Sequence, residues 1–370
     1  MIAICKYFLF LGATGFGGPL SLIQQMRQHF VDETKEISAS QFDQAFALIK
    51  AMPGPIAFQM AVFCTHFLAG RLAAIAAGIC LILPAFLLMI LAGVGYQFLT
   101  DNIYITELLI GFQFSVAAII LLSLKTFFLQ YYKKLVFWFI LIISAVLFFL
   151  RIAPEPVLIV GFGMICAFGF SWITSRQVSV MSVTFLTVDT DVLWKLFKVC
   201  TYSGAFVFGT GLALLPVLQE QFITQYHWLN LQVFNDGVTF GQMTPGPITI
   251  TATFLGYKIA GFSGAILATI GIFLIPLFHM ITWFPKVLNW LGQQTWISNF
   301  LLGATSAVVG ILLITIFKMN ENNLHLPQFW FIFVGTLLFL LKKPKTAIYK
   351  IIFCAGIVNL IISFATMNTI

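Results

Sequence analysis

Charge is what this sequence has least of: Asp, Glu, Lys and Arg together make up 8% of its 370 residues, against about 25% in a soluble domain. A soluble globular fold is excluded on that ground. Also missing are a CxxC pair and any His at metal-ligand spacing from a Cys. The six cysteines (Cys5, Cys64, Cys80, Cys166, Cys200 and Cys354) are scattered through apolar segments and read as small packing residues. With no metal-ligand cluster, nucleotide-binding loop or nucleophile beside an evident base, the sequence offers no catalytic residue, no metal site and no cofactor. No small-residue cleavage site and polar mature domain follow the first apolar run, so that run reads as a retained helix.

What is abundant is apolar sequence. Hydrophobic residues make up 60% of the chain and the mean hydropathy is +1.01. Apolar runs of about 17–25 residues, each long enough for a bilayer, fill nearly the whole length. The fold class is therefore an all-α polytopic membrane protein, multi-pass, with the plasma (inner) membrane as its expected location. The net charge of +7, from 19 basic and 12 acidic residues, reports orientation and contact with anionic lipid rather than nucleic-acid binding.

The chain repeats itself. "MPGP" begins at Met52 and "TPGP" at Thr244, 192 positions later, and the same offset pairs Phe16-Gly17 with Phe208-Gly209, Pro84 with Pro276, and Leu109-Ile110-Gly111 with Leu301-Leu302-Gly303. This gives two homologous halves, 1–176 and 198–370, joined by a connector at 177–197 that is expected to be cytoplasmic. Basic residues cluster at 125–134, at Arg176, Lys195 and Lys198, and at 341–345, whereas 99–106 and 219–235 hold acidic residues and no Lys or Arg. Placing all three basic loops inside requires the regions 42–68 and 236–258 to leave the membrane on the side they entered. Each half then has about five transmembrane helices plus one re-entrant Pro-Gly-Pro helical hairpin, and the halves form an inverted repeat. The alternative is a kinked spanning helix at each region, six crossings per half and parallel halves.

Two prolines around a glycine end one helix and begin the next. A half-helix starting near Pro55 leaves the amides of Ile56 to Gln59 without partners inside the helix, and the one after Pro247 does the same for Ile248 to Thr251. Such amides at the positive end of a helix dipole suit an anion. They must face protein or water rather than lipid, near the midplane where transporter sites sit.

Polar groups near the breaks extend the candidate site: Lys50 and Gln59 at the first, Gln242, Thr244, Thr249 and Thr251 at the second. An ionisable Lys50 deep in an apolar run points to function, against the alternative of snorkelling or a structural pair with Asp43 or Asp236. The threonines have the competing role of bonding their own helix carbonyls. Asp43, His66 and Asp236 are candidates for proton coupling, with His66 equally read as a packing residue. Phe16, Gly17 and Gly18 of "FGGP", with Phe208 and Gly209 of "FGTG", form a second matched pair, where glycines allow close helix approach or unwinding beside a site.

"FGGP", "MPGP" with Gln59 four residues after Pro55, and "GQMTPGPITITATFLGY" from Gly241 to Tyr257 resemble the chromate ion transporter family, in its long two-domain form, over essentially the whole chain. The resemblance implies export of chromate, a tetrahedral oxyanion like sulfate, driven by an ion gradient. It maps the family's motif residues onto Phe16, Gly17, Gly18, Pro19, Pro53, Gly54, Pro55 and Gln59, and onto Asp236, Gln242, Thr244, Pro245, Gly246, Pro247 and Tyr257. The chain departs from the family pattern at Leu22, where His is usual, at Lys50, where Gln is usual, and at Thr210 of "FGTG". The partners expected are thus an inorganic oxyanion and the bilayer, with a homodimer left open. A passive anion channel on the same scaffold and a membrane-embedded lipid-modifying enzyme are the alternatives to a secondary transporter.

Overall fold

The computed structural model describes residues 1–169, 192–208, 211–344 and 346–367. These residues are helical with short turns and contain no strand, as a lipid environment demands of backbone that must bond within its own segment. The first half runs α1 (Ile2–Thr14), α2 (Gly18–Arg27), α3 (Ala39–Ile49), α4 (Ile56–Thr100), α5 (Ile103–Ser123), α6 (Lys125–Tyr131), α7 (Leu135–Phe149) and α8 (Glu155–Phe168). The second runs α9 (Val192–Ala205), α10 (Leu214–Gln219), α11 (Leu231–Met243), α12 (Thr251–Thr282), α13 (Phe284–Gly292), α14 (Trp296–Asn320), α15 (Pro327–Lys342) and α16 (Ile348–Met367). The second half repeats the order of the first, down to a π-helical turn after α2 (Gln28–Glu33) and after α10 (Glu220–Gln225). Five segments are long and apolar enough to cross a membrane: Ile56–Thr100, Ile103–Tyr131, Ile248–Thr282, Trp296–Asn320 and Ile348–Thr366.

Two of those five are not rods. Thr253 Oγ1 lies 2.7 Å from Thr269 Oγ1, 16 residues on, a separation that would be about 24 Å along a straight helix. The chain folds back at Gly261, whose φ of 61° is the left-handed value glycine tolerates. α4 does the same at Gly70 (φ 79°), which brings Phe58 and Val62 against Gly78. The first limbs, 56–69 and 251–260, also fold back on the helices before the Pro-Gly-Pro: Gly241 packs on Thr251 and Gly237 on Phe254.

The two turning glycines are 191 residues apart, one short of the repeat offset. The slip persists through the next limb. Gly12 meets the Leu81 carbonyl and its counterpart Gly204 meets that of Ile272, while Gly246 meets Ala85 and its counterpart Gly54 meets Pro276. Pro84 and Pro276, aligned in the sequence, are therefore not structural counterparts; Pro276 stands where the first half has Ala85.

α1 also turns back, which the sequence reading did not anticipate. Positive φ at Gly17 (105°) and Gly18 (79°) reverses the chain, and Pro19 starts α2 near its first turn. Tyr7 then stacks on His29 and donates a hydrogen bond to the Gln25 carbonyl at 3.2 Å. The first half accordingly begins with a hairpin around its FG turn and has a second around its Pro-Gly-Pro, where one was expected; in the second half α9 likewise packs on α10.

The halves interlock. The Gly54 N–H donates to the Val207 carbonyl at 2.6 Å and the Gly246 N–H to the Gly15 carbonyl at 3.2 Å, a reciprocal pair in which both glycines and both acceptors are repeat mates. α8 packs on α14 and α16 on α5, again reciprocally. α5 and its repeat mate α14 run in opposite directions: residues 113–120 of α5 and 316–320 of α14 line one void, and 123–127 and 301–305 line another. The end of the array that carries Lys125, Lys133, Lys134, Lys342 and Lys343 is opposite the end that carries Asp101, Arg151, Glu220 and Glu321.

Tyr202 of α9 shares a cavity with Arg151, Glu155 and Gln221. Of the predicted connector, 177–191 lies outside the described residues and 192–197 is already α9.

Gly54→Ala should lower thermal stability more than Gly246→Ala. Both sit at positive φ, 129° and 99°, which costs an alanine about 1–3 kcal/mol. A Cβ at 54 would also come within 2.8 Å of Pro276 and 2.7 Å of the Gln59 amide, whereas one at 246 meets Ala85 at 3.4 Å. Unfolding temperatures in detergent check the order.

Candidate binding site between the two hairpin tips

The FG turn of the first half, both Pro-Gly-Pro hairpins and the α5–α6 junction enclose a cavity of about 210 Å³. Of the residues singled out in the sequence, Gly17, Gly18, Lys50, Ile56, Gln242 and Ile248 line it. Lys50 and Gln242 are repeat mates, each at or near the end of the helix that leads into its break. The Lys50 Nζ lies 4.2 Å from the centroid of the Phe46 ring and, among the described residues, has no carboxylate within ion-pair distance; Asp43 pairs with Arg27 instead, at 3.3 Å. The expected alternative of a Lys50–Asp43 or Lys50–Asp236 pair is not what the structure contains. The Gln242 Nε2 is buried without an acceptor. An ammonium and an amide donor, neither satisfied by a protein carboxylate or carbonyl, thus face one cavity.

The helix starts complete the donor set. In the limb 56–69 the first helical bond is Gln59 N–H to the Pro55 carbonyl at 3.0 Å, and after Pro247 it is Ile250 N–H to the Pro247 carbonyl at 3.0 Å. The amides of Ile56, Ala57, Ile248 and Thr249 therefore precede the first N–H donor inside their helices, whereas those of Gln59, Ile250 and Thr251, also expected to be free, are bonded within the turn.

Other predicted residues serve the loops. Gln59 is wholly buried and its Nε2 donates to the Pro53 carbonyl at 2.7 Å, tying the Pro-Gly-Pro turn to the helix after it. Thr251 donates to the Ile248 carbonyl at 2.8 Å and Thr244 to Gly241 at 3.2 Å, the local bonding that competes with a ligand role. Thr249 is buried with its Oγ1 unpaired. Pro53, Pro55, Pro245 and Pro247 shape the turns around Gly54 and Gly246. Phe16 packs on Tyr349 and Phe208 on Phe300. Gly209 lies outside the described residues.

The three proton-coupling candidates separate. Asp43 is at the surface with Arg27. His66 has a buried, unpartnered Nδ1 but does not line the cavity. Asp236 is completely buried, accepting from the Tyr96 hydroxyl at 2.7 Å and from the Gln113 Nε2 at 2.8 Å. Lys258 lies beyond, its Nζ 4.6 Å from the Tyr96 ring centroid. Along α11, Asn235, Asp236, Thr239 and Gln242 form a buried polar line from the acidic end to the cavity, and a small void beside Gln113, Asn235 and Thr239 continues it.

Sequence reasoning missed the far wall: Ser123, Thr126, Gln130, Tyr131 and Thr305. The Gln130 Nε2 donates to the Tyr131 hydroxyl at 2.9 Å. Ser123, Thr126 and Gln130 recur at three and four residues, one face of a helix, a polar stripe that was legible beside the lysines.

A chromate transporter family profile matches residues 2–168 and again 194–360. The chain belongs to that family. The two matches are themselves 192 residues apart. Among curated relatives, the probable chromate transport protein of Synechococcus elongatus is 30% identical over 88% of this chain and 86% of its own length. The chromate transport protein of Cupriavidus metallidurans is 28% identical over 97% and 92%, and that of Pseudomonas aeruginosa 26% over 95% and 89%. No solved structure matches. The chain is thus a multi-pass membrane transport protein and not an enzyme.

Tyr96→Phe should destabilise the protein by about 1.5–3 kcal/mol, the usual range for a hydrogen bond to a charged group. A drop in unfolding temperature for Tyr96→Phe but not for Tyr96→Phe with Asp236→Asn would tie the loss to that carboxylate.

Proposed function

We propose that this protein is a secondary active exporter of chromate or a similar tetrahedral oxyanion across the plasma membrane. The observation that carries the reading is the meeting of repeat mates Lys50 and Gln242 in one cavity, with unpaired donors and no competing carboxylate. Lys50 supplies charge to the anion, Gln242 and the helix-start amides of Ile56, Ala57, Ile248 and Thr249 supply hydrogen bonds, and Gly17 and Gly18 let the backbone approach. Thr126, Gln130 and Tyr131 close the far side.

The halves are read as an inverted repeat, supported by the opposite directions of related helices and the reciprocal Gly54–Val207 and Gly246–Gly15 bonds. The Pro-Gly-Pro hairpins are read as re-entrant: α3 and the limb 56–69 are each too short to span about 30 Å, and each reverses. The lysine-rich end is cytoplasmic under the positive-inside rule, and the cavity wall at Ser123–Tyr131 belongs to that end, as an inward-facing exporter requires. Export then follows from one half rocking against the other, which opens the line of Thr239, Asp236 and Asn235. Asp236, a buried carboxylate held by neutral partners, is the group that takes up a proton when that line opens.

In proteoliposomes with chromate, sulfate, phosphate and molybdate in competition, chromate uptake should saturate and respond to an imposed pH gradient; flux that does neither belongs to a passive channel. Lys50→Ala should weaken anion binding at least about tenfold, the equivalent of one charge-assisted hydrogen bond, with the unfolding temperature little changed. Unaltered affinity removes Lys50 from the site. In a cysteine-free background, Lys35→Cys and Gln225→Cys should be labelled by impermeant reagents from opposite faces, and labelling from one face overturns the inverted arrangement.

A further inference from the structure

At the acidic end, a second cavity of about 280 Å³ lies between the α7–α8 turn of the first half and the α9–α10 hairpin of the second. Glu155, the first residue of α8, lines it. The residue is 4% exposed and, among the described residues, neither buried carboxylate oxygen has a hydrogen-bond partner. Nothing in the anion site uses it. An isolated carboxylate buried in this way is costly unless a proton or a cation neutralises it, and the α8 N-terminus offsets only part of that cost.

The groups that face Glu155 do not neutralise it. Arg151, in the α7–α8 turn, lines the cavity but makes no ion pair with Glu155 or Glu220. Tyr202 comes from α9, and Glu220, Gln221 and Gln225 from the π turn after α10. Lys318 of α14 lies behind, over the Phe148 ring at 4.8 Å. Two carboxylates against one guanidinium leave the lining one charge negative, and the uncharged lining groups, Gln221 and Gln225 among them, offer the oxygens a small hard cation takes. The walls come from both halves, so relative motion of the halves changes the cavity's size.

We propose that this cavity binds a small monovalent cation, a proton or Na⁺, with Glu155 as its carboxylate, and that it is the outer loading site of the coupling ion. The coupling role rests on the transporter reading; the cation site does not. Loading at the acidic end neutralises Glu155 and lets the α7–α8 turn close on the α10 side. Emptying restores the buried charge and disfavours that closure.

The test uses the purified full chain with dicyclohexylcarbodiimide, which reacts with protonated carboxyls in apolar surroundings, and reads the modified peptide by mass spectrometry. Labelling at Glu155 should fall as pH rises; protection by Na⁺ at fixed pH identifies Na⁺ as the cation, and its absence identifies the proton. Absence of labelling at every pH, or labelling indifferent to both pH and Na⁺, overturns the site. In proteoliposomes, Glu155→Gln should keep chromate–chromate exchange within about twofold of wild type while gradient-driven net uptake falls at least about tenfold, and Glu155→Asp should restore part of it. Net uptake that survives in Glu155→Gln overturns the coupling role. Failure of exchange in the wild type itself counts against the anion reading and leaves the labelling result standing.

Discussion

Each half's Pro-Gly-Pro hands its glycine N–H to the carbonyl that precedes the FG turn of the other half. A backbone donor freed by two prolines and a carbonyl freed by a chain reversal would each be costly in a membrane interior. Here they satisfy one another across the pseudo-symmetric contact. The hairpins cannot reach those partners without converging, and their convergence brings Lys50 and Gln242 into one cavity. The helices outside this contact, α5 with α16 and α14 with α8, pack reciprocally around it, each pair joining one half to the other.

The polar content of the interior follows the same logic. A chain with 8% charged residues places few ionisable groups inside, and those it does place differ in how they are held. Asp236 has two neutral donors, Lys50 an aromatic face, and Glu155 none. The Gln242 amide, which has no acceptor among the described residues, lines the cavity, whereas the Gln59 Nε2 is held by the Pro53 carbonyl. Gln59 and Lys50 flank the same break, yet one braces the turn and the other faces the cavity.

Much of this was legible in the sequence. The 192-residue offset marked the two stretches that the family profile matches, and the paired Pro-Gly-Pro breaks pointed to the segments that meet at the candidate cavity, because proline removes a donor in any context. The chain reversals at Gly17, Gly70 and Gly261 were not legible: a glycine in an apolar run is equally a packing contact, and only tertiary contact decides which. The inner roles of Gln59 and Thr251 were hidden for a similar reason, since a polar side chain beside a break has both backbone and ligand within reach. The wall at Thr126, Gln130 and Tyr131 was overlooked because neighbouring lysines drew the segment into a loop reading, though its spacing was helical.

The one-residue slip after Gly70 and Gly261 gives the two locks different surfaces. Gly54 rests on the ring of Pro276, while Gly246 rests on the methyl group of Ala85. In the alternating-access reading proposed above, two identical halves that exchange roles would pass between two-fold-related states of equal free energy. Unequal locks would lift that degeneracy and give the empty protein a preferred resting side, set by a single missing residue.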